Sequence, residues 1–374
     1  MAASVNEALR DESVRHAVAL QHYSNAEVAR IVALLNRVDA DLAAQLSAAL
    51  ERLPSEAFTV ERIEAMLGSV RALNAEAYAR VGRELEGALR QLAGYEAGYQ
   101  LELFRSVIPA QVSASVGLAA VQVDQVYAAA MARPFQGRLL REWSAGIGEA
   151  RMARIRDAVR MGMVEQQTVG DIVRRIRGTR AQGYADGLLE IDRRGAEAVV
   201  RTAISHTAGY VREQFFAANS DLVKAISWTA TLDTRTSEIC RVRDGKRWTC
   251  TTPHKPIEHK LEWLGGPGRA HWQCRSTAVP VTKSWAELGL DLPDVPASTR
   301  ASMDGQAPAE QTFGAWLKRQ PAGRQDEVLG ATRGALFRRG GLEIEQFAND
   351  KGRWLTLDQL RERDAAAFRR AGVE

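Results

Sequence analysis

The sequence predicts a mainly α protein with a small α+β module, and three observations carry that prediction. Aromatic residues make up only 6% of the chain, while alanine, leucine and arginine dominate it; these residues lose little conformational freedom in a helix. Apolar residues recur every three or four positions over most of the first 220 residues, the mark of helices with one buried face. The period drops clearly to two at 226–232, where Ile226, Trp228, Ala230 and Leu232 alternate with polar residues, as in a strand with one buried face.

Taken in order, residues 6–52 read as helix with a break expected near Tyr23, Ser24 and Asn25. There Ser24 or Asn25 can cap the next turn, its side-chain oxygen accepting a free amide hydrogen bond. Pro54 interrupts, and Thr59 opens a longer pattern that Pro109 stops after about Val107. Within it Ile63, Met66, Val70, Leu73, Ala77, Val81, Leu85, Ala88, Leu92, Tyr95 and Tyr99 form a heptad seam with one stutter at 77–81. A helix of this length would reach roughly 70 Å at 1.5 Å per residue. Its seam is expected to be covered by the helix over 25–52 in an antiparallel hairpin; self-association as a coiled coil is the alternative.

Residues 109–134 predict a loop and a short helix ending at Pro134. A helix over about 138–160 places Leu139, Leu140, Trp143, Ile147 and Ile155 on its apolar side, with Gly162 expected as its left-handed cap. Thr168 and Asp171 form a capping signature for a helix that Gly178 stops. Asp192 is expected to open a longer helix reaching about Asn219. After the strand at 226–232, Asp244-Gly245 is a hairpin-type turn, and 276–280 suits a returning strand. Residues 291–310 read as linker, rich in Pro, Ser and Gly. Thr356 and Gln359 give a capping box for the last helix, which Gly372 ends.

At 374 residues the chain exceeds one ordinary domain of ~100–200 residues. The expected parsing is an elongated helical region at 1–134, a compact module at 135–285, a linker at 286–310 and a small helical unit at 311–374. Hydrophobic (45%) and charged (26%) fractions are those of a soluble globular protein. No run approaches the ~20 apolar residues of a membrane span. The first residues show no basic region followed by an apolar core, so no secretory signal is expected and the protein should begin life in a cytoplasm. Three cysteines, an odd number, argue against a disulfide framework. The net charge of +4 does not by itself imply nucleic acid. Arginine is concentrated at 131–182, however, where Arg174, Arg175, Arg177 and Arg180 could neutralise phosphates; a solvated helix face is the plainer reading.

Candidate chemistry lies at 228–280. Cys240, His271 and Cys274 are soft ligands suited to a tetrahedral structural zinc, and the His-x-x-Cys spacing lets two of them reach one ion. A fourth ligand would come from Cys250, Asp233, Asp244, His254 or His259. The competing reading is a pair of packed thiols, or a late disulfide, because free cysteine packs well in cores. Asp233 and Arg235, two apart after a strand, suit a hydrogen-bonded turn in which arginine clamps a carboxylate. The run Gly265-Gly266-Pro267-Gly268 lacks the Lys-Ser/Thr ending of a phosphate loop and reads as a flexible loop.

The order of these segments resembles the conserved module of phage Mu F-like head morphogenesis proteins. In this chain a Trp228-led strand ends in Asp233, Arg235, Thr236 and Cys240, the turn at Asp244 and Gly245 follows, and His271, Cys274 and Arg275 close the block. Flanking segments, from Gln136-Gly137-Arg138 to Val328-Leu329-Gly330, extend the resemblance over roughly 135–360. Ser276 stands where some members have a second cysteine, and the 247–270 insert carries extra residues, including Cys250. The resemblance implies a minor head protein that partners the portal protein and the major capsid or scaffold protein. It further implies passage from host cytoplasm into the virion, proximity to packaged double-stranded DNA, and a structural rather than catalytic role for these residues. A metal-dependent nuclease, or an assembly chaperone lost from the finished particle, are the rival classes.

Overall fold

The computed structural model describes residues 5–52, 60–290, 299–302, 305–308 and 311–373. Helix α1 spans Val5–Glu51, α2 Val60–Met66, α3 Gly68–Val107, α4 Ala110–Val116, α5 Val123–Ala132, α6 Leu140–Val164, α7 Val169–Arg177 and α8 Leu189–Ala218. Strand β1 (Val223–Thr229), the short helix α9 (Glu238–Arg241) and strands β2 (Arg247–Thr249), β3 (Pro256–Ile257) and β4 (Thr277–Thr282) follow. Beyond strands β5 (Thr299–Ser302) and β6 (Gly305–Pro308) lie α10 (Phe313–Lys318), α11 (Ala322–Leu329), α12 (Ala331–Arg338), α13 (Leu357–Arg363) and α14 (Ala365–Ala371). The protein is mainly α with a small antiparallel sheet, as its composition and periodicity predict. By contact it divides into one unit of Met1–Gln21, Ala93–Ala130 and Ser205–Glu374 and a second of His22–Leu92 and Met131–Ile204. Both draw on the 1–134 stretch.

The second unit is helical. Its α1 segment lies along α3: Arg30 pairs with Glu84, and the Tyr23 hydroxyl donates to the Ala88 carbonyl at 3.3 Å. Up to Leu92 the heptad seam is covered in this hairpin, with Ile63, Val70, Ala77, Val81, Leu85, Ala88 and Leu92 all buried, whereas Tyr95, the next seam position, is exposed. Leu42, Leu46 and Leu50 of α1 join Leu67 and Val70, Ile155 and Val159 of α6, and Ile172 and Ile176 of α7 in one core. Buried within the bundle, Asp39 accepts from Arg151 at 2.5 Å and from Arg193 at 2.9 Å, the pairing a desolvated carboxylate requires.

Four local expectations are corrected. Helix α1 runs unbroken through 23–25. Ser24 is buried, Asn25 accepts from Arg201 at 2.6 Å, and with no Gly or Pro present tertiary packing carries the helix on. Gly162 lies inside α6 rather than capping it; a Cβ there would stand 2.4 Å from Ile172 Cγ1, so it is a close-packing residue. Helix α8 starts at Leu189, before Asp192, whose buried carboxylate pairs with Arg154. The last helix is split: Asp364 caps α14 by accepting from the Ala367 N–H at 2.8 Å. The Thr168 cap, Gly178 (φ 88) and the Thr356–Gln359 capping box are as predicted. Pro54, Thr59 and much of the 291–310 stretch lie outside the described residues. Where that stretch is described, β5 and β6 pair only with each other, which satisfies backbone groups within the segment.

In the first unit the sheet has the order β3-β2-β1-β4, antiparallel throughout. β1 was expected to bury one face, yet every residue from Ala225 to Thr229 is buried. It is an interior strand covered on both sides. Arg212 of α8 reaches the hydroxyl of Thr277 on β4, which is paired with Thr229. A separate core gathers Phe313, Trp316 and Leu317 of α10, Leu336 and Phe337 of α12 and Phe347 around Leu232 and Val242.

Candidate metal centre

The centre is built where the chain leaves β1 and re-enters β4. Ser237 caps α9, its hydroxyl accepting from the Cys240 N–H at 3.4 Å, and so fixes Cys240 in the first turn. His271 and Cys274 occupy one tight turn, closed by a hydrogen bond from the Cys274 N–H to the His271 carbonyl at 3.3 Å. Cys240 Sγ stands 3.7 Å from Cys274 Sγ and 3.1 Å from His271 Nε2, and one donor atom from each residue lies within 4.8 Å of the other two. The histidine's other nitrogen, Nδ1, is bound to the Trp272 carbonyl at 2.8 Å, which leaves Nε2 for the Cys240 sulfur and the Ser237 hydroxyl.

Both sulfurs are buried, Cys240 at 2% and Cys274 at 1% exposure, in a cluster with Trp228, Trp248, Leu261 and the edge of Trp263. Trp228 and Trp263 meet edge to face with ring centroids 6.0 Å apart, a favourable aromatic geometry. The hydrogen bond between the sulfurs splits their acidities. It raises Cys240, where burial adds to the effect, and it lowers Cys274 to about 7 against the cost of burial. Backbone N–H groups of Ser276 and Gly268 also favour the Cys274 thiolate. Burial disfavours a charged His271, but its bond to Cys240 outweighs this and raises the imidazole.

The sequence brought Cys240, His271 and Cys274 together correctly. It missed Ser237, whose hydroxyl is 2.7 Å from His271 Nε2, and Gly268, whose φ of 80 turns its N–H towards the sulfur while its Cα passes close to the Ser205 carbonyl. The glycine run was visible as a loop; its role as an amide donor depends on a contact that no local signal encodes.

The suggested fourth ligands are all engaged elsewhere. Cys250 donates its S–H to the Val223 carbonyl at 2.8 Å and belongs to another core. His254 binds the Thr249 carbonyl and faces Glu213, and His259 binds the Arg247 carbonyl. Asp244 accepts the N–H of Ala230 through one oxygen and the N–H of Phe313 through the other, each at 2.7 Å. Gly245, at φ 77, then donates its N–H to the Trp228 carbonyl at 2.8 Å in the turn that leads to β2.

Asp233 is clamped by an arginine, but not by Arg235. Arg275 reaches both carboxylate oxygens, Nη2 at 2.8 Å, while Arg235 contributes only its backbone N–H at 3.1 Å and leaves its side chain exposed. A side chain two residues along a tight turn points away, whereas β4 returns Arg275 directly to the site. Burial would raise Asp233, but Arg275 and the Thr236 hydroxyl outweigh it and hold the carboxyl below its ordinary value. Thr236 also donates to the Thr231 carbonyl at 2.5 Å.

The arginines of 174–180 lie in the second unit, on α7 and the turn after it. Arg174 pairs with Asp171 and Arg175 with Glu165, Arg177 stacks 4.6 Å from the Tyr184 ring, and Arg180 is exposed. Among the described residues, no helix is long and apolar enough to cross a membrane. Comparison of the chain with protein-family models, curated proteins and solved structures finds no match.

Proposed function

We propose that this chain is a minor head protein of a tailed phage or prophage. It acts in head morphogenesis by docking on portal and capsid subunits, enters the virion, and assists DNA packaging or ejection. A zinc ion held by Cys240, His271 and Cys274 braces its sheet. The observation that carries this reading is that the signature residues form one bonded assembly in the chain order of the Mu F-like module. Trp228 roofs the sulfur centre, Arg275 grips Asp233, and Asp244 joins the strand at Ala230 to the helices that begin at Phe313. Residues so engaged maintain a shape, and a maintained shape is what docking on particle subunits requires.

Affinity capture of the full chain with the portal protein encoded beside it, together with mass spectrometry of purified particles, tests the proposal. Co-purification with the portal and presence in finished particles are expected. Presence in precursor heads with loss from finished ones would replace the reading by an assembly chaperone. Chelator-sensitive cleavage of DNA by the purified chain would replace it by a nuclease.

A further inference from the structure

The two sulfurs at the centre are spaced for coordination rather than for a covalent bond, and His271 Nε2 stands 3.1 Å from one of them. A disulfide needs its sulfurs ~2.05 Å apart, whereas these stand at 3.7 Å. A tetrahedral zinc with bonds of about 2.3 Å to sulfur sets its two sulfurs roughly 3.8 Å apart, close to the observed separation. The surrounding bonds are those that a thiolate–imidazole site uses. His271 is held through Nδ1 by a carbonyl, and Cys274 sulfur receives backbone N–H groups from Gly268 and Ser276; such outer contacts orient ligands and tune the ion.

The count of ligands has a chemical consequence. Structural zinc sites are closed by four protein ligands, while three leave a position for solvent or an incoming group. The metal-binding group of three comprises Cys240, His271 and Cys274 alone among the described residues. Each cysteine, histidine and aspartate the sequence offered as a fourth has a different partner, as described above. Both sulfurs are sealed from solvent, but His271 and Ser237 are only partly buried. The Ser237 hydroxyl, 2.7 Å from His271 Nε2, is the polar group on that more open side.

We propose that Cys240, Cys274 and His271 bind one zinc ion as a three-ligand site, whose fourth position is exchangeable, takes water or a small anion, and lies beside the Ser237 hydroxyl. This rests on the zinc reading made under the proposed function and adds to it that the ion is open to exchange.

Cobalt(II) substitution of the full chain, prepared under reducing conditions, tests both parts separately. One cobalt per chain is expected by elemental analysis, with thiolate-to-metal charge transfer and intense tetrahedral visible bands that added zinc bleaches. Cys240→Ser and Cys274→Ser should each weaken binding at least tenfold, whereas Cys250→Ser should bind as the unaltered chain does. Titration with azide should shift the visible bands saturably, and Ser237→Ala should change the azide affinity of whatever cobalt-loaded chain it forms. If cobalt binds and azide leaves the bands unmoved, the open position is wrong while the metal reading stands. If chain shown to be folded by circular dichroism takes up no cobalt, both fail and the cysteines are packed thiols. The azide titration uses the unaltered protein, so it decides the matter even if a serine variant does not fold.

Discussion

The carboxylate of Asp244 accepts the backbone N–H of Phe313 at 2.7 Å, sixty-nine residues away in the chain. Its second oxygen holds the N–H of Ala230 at the end of β1, so a single buried side chain fastens the sheet to the first C-terminal helix. Phe313 is itself fully buried beside Trp316 and Leu317. Removing the acceptor strands two buried donors at once, at roughly 1–3 kcal/mol each. Asp244→Ala should therefore destabilise the protein by ~2–6 kcal/mol in chemical denaturation, and Asp244→Asn by less. Hydrogen exchange should quicken through 311–373 in both.

The arginine that holds Asp233 is Arg275, not its near neighbour Arg235. Arg275→Ala should cost ~1–2 kcal/mol, the range for a hydrogen-bonded, partly buried ion pair. Arg235→Ala should stay within ~0.5 kcal/mol, as is usual for an exposed side chain. Equal losses from the two substitutions would show that the turn, rather than the return of β4, positions the clamp.

Glu96 is wholly buried in the first unit. It accepts from Arg212 Nη2 at 2.8 Å and from Gln100 at 2.9 Å, and it stands 2.5 Å from His16 Nε2. Burial would raise its pKa, but Arg212 and His16 outweigh that and hold it at about 2, against an ordinary 4.5. A depressed folded-state value contributes stability that is fully present above the unfolded value and is lost as pH falls through the folded one. Stability should thus decline between about pH 4.5 and 2, by an amount on the order of 3 kcal/mol from this group. Denaturation midpoints measured across that window should show the slope, and Glu96→Gln should flatten it. The same variant should be weaker at neutral pH, because Arg212 is left buried without its counter-charge.

Gly162 meets Ile172 where two helices of the second unit pass closely. Gly162→Ala should destabilise by ~1–3 kcal/mol through overpacking, despite alanine's better helix propensity. Pairing it with Ile172→Val should recover part of the loss if close approach is the cause. A residue in the left-handed cap conformation would show no such rescue.

Much of the fold was legible because its signals are local. The heptad seam from Ile63 to Leu92 predicted a covered hairpin, since a stripe of apolar residues on one helix face has to be buried. Thr168 and Thr356 marked helix starts through side chains that bond amides three residues away. The same local logic failed at Ser24 and Asn25, which sit inside a helix: Ser24 is buried there and Asn25 accepts from Arg201 instead of capping a turn. It failed again at Gly162, where a residue suited to ending a helix instead lets Ile172 approach. For the centre, ligand chemistry and spacing singled out Cys240, His271 and Cys274. Nothing local could show that Cys250, equally soft, would turn to the Val223 carbonyl.

By itself, then, the sequence determined the helical class, the switch to strand periodicity and the three residues with soft donor atoms, because period, capping and side-chain chemistry are properties of neighbouring residues. Only the tertiary structure decided which arginine grips Asp233, which amides serve Cys274 and what Asp244 joins. Those partners lie 42, 6 and 2, and 14 and 69 positions away. For the distant ones contact depends on the antiparallel return of the strands and on which N–H groups the core leaves without water, and burial makes each such bond obligatory without naming its partner in advance.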